Sequence, residues 1–311
     1  MTQPLVSIAL CTYNGAKYLA QQLDSLVNQT YPSIEIIAVD DCSTDETFAV
    51  LTAYAAKYPQ FKIYRNEENL GFTGNFERAV KLCSGEMIAL CDQDDTWLPE
   101  KIELQVKAIG DNMLLYHDSE FVNERGVPMN KKMSDIMNFY RGDEPEALLF
   151  FNSVSGHAIL MKKELLDYAL PLKKGFFHDW WLAYVATNVG EIDFIPQCLV
   201  RYRQHDTSDT NILKIEREKN AYRFGSMQKI EREYKWLGYC AAFKYNKRPQ
   251  IVTAFYDAFT ERMNKHVSFK LSRLLFKYRD IIFYVRKRSY LNKLNFIYSK
   301  IWGGKAKKMY S

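Results

Sequence analysis

Four short apolar runs, each cut off by polar residues and each separated from the next by a helical pattern, leave this chain few folds to choose from. They are Val6-Ser7-Ile8-Ala9-Leu10, Ile34-Glu35-Ile36-Ile37-Ala38-Val39, Phe61-Lys62-Ile63-Tyr64 and Met87-Ile88-Ala89-Leu90. All are strand-length and too short for a helix. Between them Leu19, Leu23, Leu26 and Val27 recur at helical spacing, as do Phe48, Leu51 and Tyr54, and then Phe76, Val80 and Leu82. Tyr31-Pro32 breaks the first of these helices, and Ser43 or Thr44 is placed to cap the second. The glycine-bearing stretch Asn69-Leu70-Gly71-Phe72-Thr73-Gly74 leads into the third. Strands alternating with helices at this spacing predict an α/β fold of βαβ units on a largely parallel sheet.

The chemistry lies in the loops just past these strands. An open α/β sheet binds its ligand beyond the carboxyl ends of its strands. Here those ends are Cys11-Thr12-Tyr13-Asn14-Gly15, Asp40-Asp41-Cys42-Ser43-Thr44-Asp45 and Asp92-Gln93-Asp94-Asp95. The last places three carboxylates within four positions. Like charges so close are costly where water is scarce, and a hard divalent cation such as Mg²⁺ relieves them through oxygen ligands. In an extended segment Asp92 and Asp94 share one side while Gln93 points away. The competing reading is a polar loop in which Asp95 or Thr96 caps a helix ahead of Pro99 and Glu100. Together the three loops offer a ring at Tyr13 to stack a base, an acceptor at Asp41 for a base N–H, and a metal at Asp94 for a diphosphate. No Walker lysine motif is present, and Gly71 to Gly74 do not form a G-x-G-x-x-G cradle. A nucleotide held through a metal fits better.

These motifs, with Asn69-Leu70-Gly71, stand in the order found in family 2 glycosyltransferases, which the chain resembles over roughly residues 5 to 210. The resemblance implies the GT-A fold and an inverting transferase that depends on Mg²⁺ or Mn²⁺ and uses a nucleotide-sugar donor. It implies that Tyr13 stacks the base and Asp41 accepts from its imide. Asp92 and Asp94 become the D-x-D pair, with Asp94 the direct metal ligand. Thr12, Asn14, Gly71 and Asn75 join the nucleotide-binding set through the matched loops. Two departures stand out: Cys42 occupies a position that is usually glycine, and Gly74-Asn75-Phe76 lacks an arginine that many members carry.

Glycosyl transfer also needs a base to strip a proton from the acceptor hydroxyl. Asp179, in Gly175-Phe176-Phe177-His178-Asp179-Trp180-Trp181, is a carboxylate among bulky aromatics, and family 2 enzymes place their catalytic aspartate at this point in the chain, usually as Glu-Asp. Here His178 precedes it. The alternative makes Asp179 the N-cap of a helix from Trp180 to Thr187. Trp180 and Trp181 are candidates to face the acceptor, and because neighbours on a helix diverge by about 100°, one of them is expected in the core. His157, in Ser155-Gly156-His157, is a further acceptor-side candidate. The resemblance makes His205, after the last strand, a candidate third metal ligand. The combination with Tyr202-Arg203-Gln204-His205 is similar to bacterial rhamnosyltransferases of surface-polysaccharide assembly, which implies dTDP-rhamnose as a donor and a lipid-linked glycan as acceptor. A nucleotidyltransferase would share the base pocket and metal carboxylates but needs a basic glycine-rich loop, which is missing. A non-catalytic membrane-bound sugar-nucleotide binder would keep Tyr13 and Asp41 and have no use for Asp179.

Composition divides the chain in two. Its net charge is +5, yet the stretch from Lys265 to Ser311 holds 13 Lys or Arg against the single acid Asp280, or +12, leaving −7 for the rest. Strand patterning stops near residue 212, so the expected domains are a GT-A domain over 1–211 and a basic helical region over 212–311. Ile215 to Tyr239 alternates acids and bases as a solvated helix does. Farther on, Phe269, Leu271, Leu274, Leu275, Tyr278, Ile281, Ile282 and Val285 interleave with Lys270, Arg273, Lys277 and Arg279, with more charge at Arg286-Lys287-Arg288 and Lys305 to Lys308. This reads as an interfacial membrane helix, with a helix packed on the enzyme body as the alternative. Nucleic acid is set aside because no nucleic-acid fold signature accompanies the charge. No apolar run spans a bilayer, the N-terminus carries no signal-peptide pattern, and the six scattered cysteines read as reduced. The expected location is the cytoplasmic face of the inner membrane, as a peripheral protein.

Overall fold

The computed structural model describes residues 3–205, 226–287 and 289–303. The chain divides into two compact units, one formed by Met1–Asp143 and Val154–His205, the other by Glu144–Ser153 and Asp206–Ser311.

The first unit begins β1 (Val6–Thr12), α1 (Ala16–Val27), β2 (Ile34–Asp40), α2 (Thr47–Lys57), β3 (Phe61–Arg65), α3 (Gly71–Leu82) and β4 (Met87–Cys91). It continues with β5 (Thr96–Trp97), α4 (Lys101–Ile109), β6 (Leu114–Val122), β7 (Pro128–Lys132) and α5 (Met133–Ile136). After residue 153 come β8 (Leu160–Lys162), α6 (Leu166–Ala169), α7 (His178–Val189) and β9 (Ile192–Arg203). One sheet runs β3-β2-β1-β4-β8-β6-β9-β5, with β7 paired to β6. β1 to β4 are mutually parallel, and β6 runs parallel to β9. β5, β7 and β8 run antiparallel to their partners. The expected alternation therefore holds through β4. All seven residues of β1 are buried between β2 and β4, the continuous burial of a parallel strand covered on both faces.

Two details differ from expectation. Thr96 does not cap a helix: Thr96 and Trp97 pair with Arg201 and Val200 of β9, and α4 starts only at Lys101. The open edge of β9 competes successfully for this backbone. Ser43 and Thr44 do not cap α2 either, since the Asp45 carboxylate takes the Thr47 N–H at 3.0 Å.

The ends of the strands away from the aspartates are tied by Glu35. Its carboxylate accepts from Ser7 Oγ of β1 at 2.6 Å, Lys62 Nζ of β3 at 2.7 Å, and both the N–H and Oγ of Ser84 at 2.7 Å. Burial pushes this carboxyl up, and the donors from Lys62, Ser7 and Ser84 outweigh it, bringing it down to about 2.

In the second unit, α8 (Ser226–Ala241), α9 (Pro249–Asn264), α10 (Lys270–Lys277), α11 (Arg279–Ile282) and α12 (Tyr290–Ser299) gather around residues 144–153. Leu149 accepts the Trp236 indole N–H at 3.0 Å, and Phe151 lies 5.8 Å from Phe283 between ring centres. Of the apolar stripe predicted for the membrane, Leu271, Leu275, Ile282 and Val285 turn inward and are buried, whereas Phe269 stays exposed. No helix among the described residues is long and apolar enough to cross a membrane. The boundary expected at 211/212, the first part of the charge-alternating helix, Arg288 and Lys305 to Lys308 lie outside the described residues.

A carboxyl whose folded pKa is depressed adds stability above its unfolded pKa and loses it as pH falls through the folded one. Glu35→Gln is expected to cost about 1–3 kcal/mol at neutral pH. It should also flatten the loss of stability between pH 4.5 and about 2, measured by urea denaturation across that range.

Candidate active site

The loops after β1, β2 and β4 are stitched to one another before any ligand arrives. The Gln93 amide bridges two of them, accepting from Tyr13 N–H at 2.8 Å and donating to Tyr13 C=O at 2.9 Å. Gly15 permits this, because a Cβ there would lie 2.0 Å from Gln93 Oε1. Asn14 N–H donates to Ser43 Oγ at 2.9 Å, and Thr44 N–H donates to Asn14 Oδ1 at 2.8 Å. Thr12 is buried and its hydroxyl donates to Asp40 at 3.1 Å. The Tyr13 ring, 48% exposed, stands free of this lacing.

Asp41 is buried, and its carboxylate organises the turn into α3. Oδ1 accepts from Asn66 Nδ2 at 2.5 Å and Leu70 N–H at 2.8 Å, and Oδ2 accepts from Gly71 N–H at 2.9 Å. Asn75 is buried beside it, its amide spent on Asn66 and on the Val39 carbonyl. Asn75 thus braces the loops from within. Asn66, which links Asp41 to Asn75, sits in a stretch with no sequence signal.

The acidic cluster has two sides. Asp94 Oδ2 lies 2.8 Å from His205 Nε2. Deeper in, Asp95 is fully buried; Oδ1 accepts the Arg203 N–H at 3.0 Å, while Oδ2 has no hydrogen-bond partner among the described residues and lies 3.6 Å from His157 Nδ1. Burial, then the charges of Asp94 and Asp92, push the Asp95 carboxyl well above the usual carboxylate range. Asp92, Asp95 and His157 place one ligand atom each within 4.8 Å of one another, a set that can hold a metal ion. Sequence pattern suggests a helix cap for Asp95 and an acceptor contact for His157, and neither holds. Asp95 belongs to this buried cluster. His157 is buried too, with Nε2 2.8 Å from Ser119 Oγ, and burial pulls its pKa down to about 3.

Asp179 lies in the first turn of α7, where Phe177 is the N-cap. Its carboxylate accepts the N–H of Trp180 at 2.5 Å and of Gly156 at 3.1 Å. Burial raises it to about 7 against the pull of those two donors. Gly156 and His157 are neighbours, so the segment that holds Asp179 also reaches Asp95. His178 is buried, stacked on Phe76 at 4.0 Å, with neither ring nitrogen hydrogen-bonded among the described residues and its pKa lowered to about 3 by burial. Of the tryptophan pair, Trp181 is the core member, its indole N–H on the Ala169 carbonyl at 2.7 Å, which removes it from the acceptor side. Trp180 stays partly exposed.

Residues 7–168 match the family model for glycosyl transferase family 2. The chain belongs to this family. It is 29% identical over 241 residues to an uncharacterized glycosyltransferase of Haemophilus influenzae, covering 74% of this chain and 73% of that one. Among solved structures it is similar to S. aureus TarS 1-349 in complex with UDP-GlcNAc, with TM-score 0.59, 19% identity and coverage of 89% and 81%. It is also similar to the mannosyltransferase PcManGT from Pyrobaculum calidifontis in complex with GDP-Man and Mn²⁺, with TM-score 0.54, 16% identity and coverage of 96% and 80%. The fold of this glycosyltransferase is therefore GT-A.

One departure of this family member has a physical reading. Cys42 has φ +62°, the left-handed region that suits glycine. Cys42→Gly is expected to raise stability by about 1 kcal/mol, read as a shift in the denaturation midpoint with unchanged slope.

Proposed function

We propose that this glycosyltransferase works by inversion, moving a sugar from a nucleotide diphosphate to a hydroxyl of a glycan, with Asp179 as base. The observation that carries this is Asp179: a partly buried carboxylate with its pKa raised to about 7, held by Gly156 N–H next to the acidic cluster. A general base works best with its pKa near the operating pH. Asp179 takes the proton of the acceptor hydroxyl while that oxygen attacks the anomeric carbon. The bond from that carbon to the β-phosphate oxygen breaks, and the nucleoside diphosphate leaves from the opposite face.

Tyr13 stacks the base, and Asp41, braced by Gly71 N–H, accepts from the base imide. Thr12, Asn14 and Asn75 hold the loops around it in register. The donors at the acidic cluster suit a hard divalent cation: Asp92 shares one ligand set with Asp95 and His157 within 4.8 Å, and Asp94 meets His205 at 2.8 Å. Asp94 and His205 at the rim, with Asp92, would hold Mg²⁺ or Mn²⁺. When bound, such an ion neutralises charge on the leaving diphosphate. Asp95 and His157 back this set from the interior. Trp180 faces the acceptor. The resemblance to rhamnosyltransferases puts dTDP-rhamnose first among donors to try, with UDP-GlcNAc and GDP-Man beside it, since the similar structures hold those two. The acceptor is a lipid-linked glycan of cell-surface polysaccharide synthesis, met at the cytoplasmic membrane surface.

A base must be deprotonated to act, so kcat is expected to climb with pH through about 7 and level off above it. Asp179→Asn should lower kcat by roughly 10²–10⁴-fold and abolish that limb, with donor affinity kept within a few-fold. Full activity in Asp179→Asn would rule out its role as base.

A further inference from the structure

α10 has two different faces. Leu271, Ser272 and Leu275 are buried, and the helix packs against α9, α11 and α12. At about 100° per residue, Phe269, Arg273, Phe276 and Lys277 share the opposite face with Lys270 at its border. Phe269 and Phe276 keep 55% and 47% of their surface in water. Val267 lines the same cleft as Phe269. Val267 pairs with Trp302 through an isolated antiparallel bridge, supported by Ser268 N–H on the Ile301 carbonyl at 2.9 Å. Trp302 is 58% exposed. Against Phe269 opens a cleft of about 550 Å³ lined in part by Lys265, Lys270 and Arg273. The carboxylate in its lining, Glu261, is engaged by Lys265 at 3.2 Å and Ser268 at 2.9 Å. The nearby Asp280 lies 3.8 Å from Arg279.

Rings left in water are costly, and here they are interleaved with cations whose nearby acids are already paired. An anionic bilayer satisfies both at once: aromatic rings enter the headgroup layer, and basic side chains meet lipid phosphate. A nucleic acid would use the cations but has less use for Val267 and Phe276. We propose that this face of the C-terminal unit, formed by Phe269, Phe276 and Trp302 with Lys270, Arg273 and Lys277, docks on an anionic lipid bilayer. The inward-turned stripe of Leu271 and Leu275 takes no part. This face supplies the surface for the membrane association proposed above, and its purpose rests on that reading.

The test is co-sedimentation of the full chain with vesicles of phosphatidylcholine alone and of equal phosphatidylcholine and phosphatidylglycerol. Binding is expected to the mixed vesicles only. Combining Lys270→Glu, Arg273→Glu and Lys277→Glu should weaken it roughly a hundredfold, and Phe269→Ser with Trp302→Ser roughly tenfold or more. Donor binding, measured by calorimetry on the same proteins, should stay unchanged. Loss of donor binding with vesicle binding intact would count against the transferase reading and leave this face standing. Equal binding to neutral vesicles, no effect of the variants, or preference for a single-stranded oligonucleotide would overturn the proposal.

Discussion

Three acidic side chains crowd the end of β4, and the arginine at the end of β9 ties down the loop that carries them. Arg203 donates its N–H to Asp95, Nε to the Asp94 carbonyl at 2.7 Å, one Nη to the Glu124 carbonyl at 2.9 Å and the other to Gln21 at 2.8 Å. Its guanidinium also lies 4.9 Å from the centre of the Tyr18 ring. A planar, permanently charged fork suits this task in a way a lysine would not. The acidic loop, the turn after β6 and helix α1 are thereby fixed to one side chain. Two residues on, His205 meets Asp94, so the same strand end supplies both the brace and the imidazole.

The polar residues at the strand ends divide into two groups. Thr12, Asn14, Asp41, Asn75 and Gln93 spend hydrogen bonds on the protein, lacing the loops after β1, β2, β3 and β4 into one rim. Tyr13 and Trp180 leave their rings available to solvent to different degrees. A rim whose side chains are locked by packing and outer hydrogen bonds presents its contact groups with little ordering cost. That is the physical sense in which a sugar nucleotide would meet a prepared surface.

Much of this is legible in the residues. The parallel half of the sheet follows from four apolar runs and the helical spacing between them. β5 and β8 are not legible, because pairing partners far along the chain create strands of two and three residues. Asp92 and Asp94 are visible as a pair, whereas Asp95 looks like a cap and Gln93 like a residue turned aside. Their partners, Arg203, His157 and Tyr13, come from distant segments that no local pattern connects. Periodicity finds the apolar stripe at 269–285 but not which of its members turn inward, since an amphipathic helix reads the same whether its apolar side meets protein or lipid. Residues 144–153 belong to the C-terminal unit through packing that leaves no mark in spacing.

If the three loops form one metal-assisted donor site, calorimetric titration with a sugar nucleotide should show it most directly. Binding is expected with Mn²⁺ present, with a loss of roughly tenfold or more in affinity on adding EDTA or in Asp94→Ala and His205→Ala. Equal affinity with EDTA, and in both variants, would contradict it.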